Sequence, residues 1–288
     1  MRKGSALAAL VTAVVATTSA APASPLVVRA WLFRYRAHDG VERRGYVVLP
    51  GWYGPRDHPA LPLVISPHGR GLDALQNTAI WGDLPGVRRF ALVSADGQGR
   101  RLELYSWGDP GQIRDLARMP KIVRRVFPWL RIERRRIYAF GGSMGGQEVL
   151  LLLARHPRLL AGVAAFDAPT SLARRYRAFR RLKSGERLQD LLREEVGGTP
   201  RADPRGYAAR SPLDLVRRIA FSGVPLQIWW SRRDRIVSDG SRESGLLYRE
   251  IEKLNPRAPV IEFVGRWRHQ AEMRASRQLP RALRLFGL

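Results

Sequence analysis

Arg136-Ile137-Tyr138-Ala139-Phe140-Gly141-Gly142-Ser143-Met144-Gly145-Gly146 runs directly into Gln147-Glu148-Val149-Leu150-Leu151-Leu152-Leu153-Ala154. An apolar, β-prone run stops at a Gly-x-Ser-x-Gly pentapeptide and becomes a strongly helical, apolar run. The pattern predicts a strand, a very tight turn and a helix. A serine at such a turn is forced toward left-handed backbone angles, and glycines beside it let strand and helix approach closely enough to hold it there. Its hydroxyl is then presented at the end of the strand, above the first N–H groups of the helix.

A serine hydroxyl is a poor nucleophile until an imidazole takes its proton, and the imidazole needs a carboxylate to fix its tautomer. Where a nucleophile stands on a strand-to-helix turn of this kind, acid and then histidine follow it along the chain. Of the five histidines only His156 and His269 follow Ser143. His156 precedes Pro157, which ends the helix, so it is expected about three turns from Ser143. His269, in the loop Gly265-Arg266-Trp267-Arg268-His269-Gln270, is the base by elimination. For the acid, Val224 to Trp230 reads as a buried strand, and Asp234 lies in the loop at its carboxyl end, where open α/β sheets place their sites. Asp167, at the end of the strand Gly162 to Phe166, is the alternative, and Asp239 follows close behind Asp234.

A second loop carries information. Leu61 to Ser66 reads as a buried strand ending in Pro67-His68-Gly69-Arg70-Gly71. Acyl transfer builds negative charge on a carbonyl oxygen, and two backbone N–H groups aimed at it are a large part of the rate. Met144 N–H is one expected donor and Arg70 N–H the other, with Gly69 or Gly71 as neighbouring alternatives.

Around these motifs the chain alternates strand and helix signals. Leu26 to Tyr35 and Val41 to Leu49 flank an Asp39-Gly40 turn, which predicts an antiparallel hairpin at one end of the sheet. Phe90 to Asp96 is a further strand, and Gln112 to Val126 a helix. Tyr105 and Trp107, in the loop between them, and Trp267 beside His269 are candidate walls of a substrate pocket, though loop aromatics equally often plug the core. Between 168 and 220 lies an insertion of helices, Ser171 to Lys183 and Glu186 to Val196, in the position of a lid. The arginines of its first helix, Arg174, Arg175, Arg177, Arg180 and Arg181, are expected on a solvated face, with attraction of carboxylates as the alternative. Ser241 to Leu254 and Gln270 to Leu285 predict two last helices on opposite faces of the sheet.

The formal net charge is +25, carried almost wholly by arginine, since lysine occurs only at Lys3, Lys121, Lys183 and Lys253. The arginines are scattered, without a recognition-helix pattern or an aromatic-interleaved stripe, which argues against a specific nucleic-acid partner and for non-specific adsorption to polyanions or cell envelopes. The chain has no cysteine, hence no disulfide and no Cys/His zinc site, and the chemistry above asks for neither metal nor cofactor. Met1-Arg2-Lys3, the uncharged run Ala6 to Ala16 and the small residues to Ser24 fit a secretory signal over 1–23, leaving 24–288 as one domain and a secreted or extracytoplasmic location. No later apolar run is long enough to cross a membrane.

The Pro67-His68-Gly69 turn, Gly141 to Gly146, Ser211-Pro212-Leu213 ahead of a strand, Ser231 to Val237 and Trp267 to His269 together resemble the α/β-hydrolase superfamily. Within it the chain is similar to secreted esterases of the feruloyl-esterase and polyhydroxyalkanoate-depolymerase kinds and to prolyl-oligopeptidase-type catalytic domains. The resemblance implies a mostly parallel twisted sheet with helices on both faces. It also implies Ser143 as nucleophile, His269 as base and Asp234 as acid. The activity expected is hydrolysis of carboxylic esters through an acyl-enzyme. Short-peptide hydrolysis and idle-triad polyanion binding are the alternatives.

Overall fold

A computed structural model describes residues 27–288, so the expected signal segment at 1–23 lies outside the described residues. Eight strands form one sheet: β1 (Val28–Arg36), β2 (Glu42–Pro50), β3 (Leu61–Ile65), β4 (Ala91–Ala95), β5 (Ile132–Gly142), β6 (Gly162–Phe166), β7 (Leu226–Ser231) and β8 (Val260–Gly265). Their spatial order is β1-β2-β4-β3-β5-β6-β7-β8. β1 and β2 pair antiparallel as a hairpin, β2 pairs antiparallel with β4, and every other neighbour is parallel. The hairpin reverses at Gly40, whose φ of 83° suits a residue without Cβ.

Strand side chains alternate between two cores, as a period of two requires. Leu63, Val93, Ala139, Val163 and Ile228 face one, while Val64, Leu92, Phe140, Ala164 and Trp229 face the other. The first is covered by α3 (Pro110–Val126), α4 (Met144–Arg155), α8 (Val216–Ala220) and α9 (Ser244–Leu254); the second is covered by residues around the short helices α1 (Ala74–Ala79) and α2 (Leu84–Val87) and by α10 (Leu279–Arg284). Both faces of the central strands are buried, so they read as unbroken apolar runs. In the second core Trp229 stacks between Phe166 and Phe263 at 5.3 and 3.8 Å, and the Arg281 guanidinium lies over both Trp229 and Phe263.

The expected last helices do lie on opposite faces, but the second is much shorter than Gln270 to Leu285. Gln270 has φ of 57° and its N–H is given to Asp167, so no helix can start there; the chain runs in turns until Leu279, with Pro280 in the first helical turn. The expected helix Ser171–Lys183 is likewise only α5 (Leu172–Phe179). The backbone of Gly185 packs against the Phe179 carbonyl, so closely that an added Cβ would overlap it, and the chain must turn before α6 (Gly185–Val196) begins.

The insertion, completed by α7 (Pro204–Ala209), packs through Leu172, Phe179, Leu188, Leu192 and Tyr207 onto Trp107 and Met144. Trp107 is therefore 2% exposed, wedged edge-on against Phe179; it plugs this third cluster instead of walling an open pocket. Charge fastens the same contact. The buried Glu195 carboxylate accepts the backbone N–H groups of Arg100, Arg101 and Leu102 at 2.6–2.9 Å and pairs with Arg210, which also binds Asp109 and the Ser106 carbonyl. Removing one partner of such a set strands the others in low dielectric.

Two measurements test these buried groups. Glu195→Ala should lower the unfolding free energy by about 3–5 kcal/mol in urea denaturation; a loss below about 1 kcal/mol would show that the staple does not hold the insertion. Glu148, on α4, is wholly buried beside Ser106, and burial pushes its carboxyl up to about 8 against a weaker downward pull from the Ser106 hydroxyl. The folded chain then binds more protons than the unfolded chain between the unfolded carboxyl value and about pH 8, so stability from this group falls as pH rises through that window. Glu148→Gln should flatten the decline expected of the wild type between about pH 5 and 8. An unchanged slope would place the titration elsewhere.

Candidate active site

The carboxyl ends of β3, β5, β6, β7 and β8 bring the candidate residues to one rim. At the end of β5 the chain turns through Ser143 with φ 54° and ψ −123°, a conformation costly for a residue with a Cβ. Close backbone packing holds it there. A Cβ on Gly141 would lie 2.2 Å from the Gly145 carbonyl oxygen, and one on Gly145 would lie 2.3 Å from the Pro67 carbonyl oxygen. Strand, helix and the loop after β3 are thus pressed together at the positions where the sequence has glycine. Ser143 N–H is anchored to the Phe166 carbonyl of the neighbouring strand, and its carbonyl accepts Gln147 N–H as α4 begins.

His269 and Asp234 form a short bond, Nδ1 to Oδ2 at 2.6 Å, with the imidazole 17% exposed and the carboxylate 1%. The other Asp234 oxygen accepts Ile236 and Val237 N–H at 2.7 and 2.9 Å, so the loop after β7 grips its own acid in a turn. With Nδ1–H donated to the carboxylate, Nε2 is left as the basic nitrogen.

Asp167, the alternative acid, serves the histidine loop without bonding to the histidine. Its oxygens accept Ser231 N–H at 3.0 Å, the Trp267 indole N–H at 3.0 Å and Gln270 N–H at 2.8 Å. It therefore holds residues on both sides of His269. Trp267, expected as a pocket wall, is tied by that bond, and its carbonyl accepts the Ser231 hydroxyl at 2.6 Å. Burial, reinforced by the nearby Asp234 charge, pushes the Asp167 carboxyl up to about 6. Asp239 turns away and pairs with Arg181, and His156 caps the far end of α4.

Gln270 locates this loop against the serine turn. Its side-chain amide lies 2.6 Å from where a Cβ of Gly142 would be and 3.3 Å from that of Gly69. Residues 142 and 270 thus touch, and Ser143 and His269 are their chain neighbours. The Ser143 hydroxyl caps no helix N–H, and no hydrogen bond joins it to His269 among the described residues. Apo sites often leave such bonds to tighten with substrate.

In the loop after β3, Gly71 N–H is given to the Leu104 carbonyl, which removes it as an oxyanion donor, whereas Arg70 and Met144 N–H have no acceptor among the described residues. His68 braces this loop. Its Nδ1 lies 2.8 Å from the Gly69 carbonyl and its Nε2 2.7 Å from Gly97 N–H, so the first donates and the second accepts. Burial holds this imidazole below its ordinary range, in keeping with a neutral ring. Sequence reasoning assigned His68 no such duty; its position two residues before Arg70 was the available signal. Tyr105, half-buried, rests its hydroxyl against Gly71.

Asp167, Asp234 and His269 place potential ligand atoms within 4.8 Å of one another, close enough for a divalent ion. The carboxylate oxygens already accept N–H donors, and the imidazole Nδ1 is bonded to Asp234, so the cluster is built as a hydrogen-bond relay.

No protein-family model matches the sequence, and no curated protein sequence matches it. Solved structures do resemble the fold. Acylaminoacyl peptidase of Pyrococcus horikoshii superposes with a TM-score of 0.68 at 17% identity over 91% of this chain, and the chain spans only 41% of that protein. S-formylglutathione hydrolases of Staphylococcus aureus and Agrobacterium tumefaciens superpose with TM-scores of 0.66 and 0.64, each at 14% identity. They are covered over 98% and 96% of their own lengths, and this chain over 90% and 91% of its own. In strand order, in the turn after β5 and in these superpositions, the chain has the α/β-hydrolase fold.

Proposed function

We propose that this chain is an exported serine hydrolase that cleaves carboxylic esters without a cofactor. The observation that carries the reading is the short bond from Asp234 to His269, in a loop that abuts a serine held at φ 54° on the first turn of α4. In the proposed cycle, His269 Nε2 takes the Ser143 proton as Oγ attacks the ester carbonyl carbon. Asp234 keeps Nδ1 protonated and stabilises the imidazolium. The carbonyl oxygen becomes an oxyanion, received by Met144 and Arg70 N–H. Collapse breaks the bond to the alkoxy group, which leaves as the alcohol with the proton from His269. Water then repeats the sequence on the acyl-serine, giving its proton to the same nitrogen and releasing the acid.

An ester is preferred to an amide because no subsite for an extended peptide is recognisable and an alkoxide leaves with less help from an acid. The likeness to acylaminoacyl peptidase keeps a second reading, release of an acylated amino acid from a short peptide, and an aminoacyl nitroanilide discriminates between the two.

Ser143→Ala should lower kcat on a short 4-nitrophenyl ester by roughly 10^6-fold and abolish labelling by a fluorophosphonate. Wild-type turnover in that variant would refute the assignment. Asp234→Asn should cost about 10^4-fold by releasing the tautomer. Asp167→Ala, acting only through the position of the loop, should cost about 10^2-fold. The reverse ranking of the two acids would make Asp167 the partner of His269.

A further inference from the structure

Beside the imidazole, between the loops leaving β7 and β8, opens a cleft of about 830 Å³. Nine residues line it, and five are arginines: Arg232, Arg233, Arg235, Arg266 and Arg268. The one acid among them is Asp234, whose oxygens are committed to His269, Ile236 and Val237. None of the five guanidinium groups pairs with a carboxylate among the described residues. With 50 basic side chains against 25 acids, unpaired arginine is common on this surface, so lack of a partner alone decides nothing. What distinguishes these five is convergence. They surround one concave volume that His269 also lines, and a cleft with low-dielectric walls focuses the field of its charges.

Two further cations stand on the loop after β3 and on α5. Arg70, half-buried, extends over the Trp107 ring at 5.9 Å and makes no ion pair among the described residues. Arg175, expected on a solvated helix face, is instead 4% exposed: its guanidinium lies 4.5 Å from the Phe179 ring centre and donates to the Ile236 carbonyl of the acid loop. Burial, joined by the charge of Arg70 and opposed by the carboxylates of Glu243 and Asp234, holds it below the ordinary arginine range, at about 10. Cations thus stand on the loop after β3, on α5 and on both loops of the cleft.

We propose that the substrate carries a fixed oxyanion, a carboxylate or a phosphate, apart from its scissile ester, and that the arginine-lined cleft beside His269 holds it. A guanidinium fork matches either group with two parallel N–H bonds, and several forks on one cleft bind a small dianion or a monoanion in exchange for water and counter-ions. The inference rests on the hydrolase reading for the word substrate, while its binding claim can be tested without turnover.

The test uses three 4-nitrophenyl esters of matched chain length, ending in methyl, in carboxylate and in phosphate. Binding is measured by calorimetry to the Ser143→Ala protein and turnover in the wild type. Expected is at least a tenfold tighter Kd for one anionic ester over the methyl ester in 50 mM salt, shrinking several-fold at 500 mM. The better of the two anions identifies the group. In Arg232→Gln/Arg266→Gln, both on the exposed rim, the anionic-to-methyl ratio should fall toward one, with an unchanged melting temperature showing that the fold is intact. Equal Kd values for the three esters in the Ser143→Ala protein would overturn the proposal. So would a preference that survives loss of the arginines. Selective binding without wild-type turnover would instead sink the hydrolase reading and leave an anion-binding site.

Discussion

The site depends on a backbone contact that admits no side chain. The first turn of α4 lies against the Pro67 carbonyl at Gly145 and against the end of β5 at Gly141, and between those contacts Ser143 has no room to relax to an ordinary φ. A strained residue persists only where its surroundings over-determine it. Here a β5–α4 junction, the loop after β3 and a hydrogen bond to β6 do so together. The same contact draws the Pro67–Gly71 loop over the helix N-terminus, so one close approach positions both a hydroxyl and the backbone N–H groups near it.

Around that junction, buried carboxylates organise loops. Asp234 fixes one ring nitrogen, Asp167 fixes the backbone that carries the ring, and Glu195 gathers three successive N–H groups of the 100–102 segment. Glu243 does similar work at the entrance to α5, accepting Thr170 and Ser171 N–H. Each satisfies donors that a loop cannot satisfy within itself, which is why irregular segments can sit inside a well-packed rim. In a chain so rich in arginine, the acids are spent on backbone as much as on guanidinium.

The sheet was legible because its signals are local. Period-two burial, Gly-x-Ser-x-Gly between an apolar strand and an apolar helix, and Asp39-Gly40 between two β-rich runs each act over a few residues. The order serine, acid, histidine pointed to Asp234 and His269, and the short bond between those two side chains agrees with that pairing. What could not be read depended on contacts across the chain. Gln270 looked helical until Asp167, about a hundred positions earlier, claimed its N–H. Arg175 had the spacing of a solvated face, yet its partners are Phe179 and a carbonyl in a distant loop. Trp107 gave no sign of whether it faced solvent or core, because that is decided by an insertion that folds over it. No propensity encodes such choices; tertiary packing settles them.

The Glu195–Arg210 staple has one more implication. Swinging the inserted helices outward would break three backbone bonds and a buried ion pair at once. The inserted helices are thereby riveted to the 100–102 segment and, through Arg210, to the start of α3, so they belong to the body of the domain as much as its own strands do.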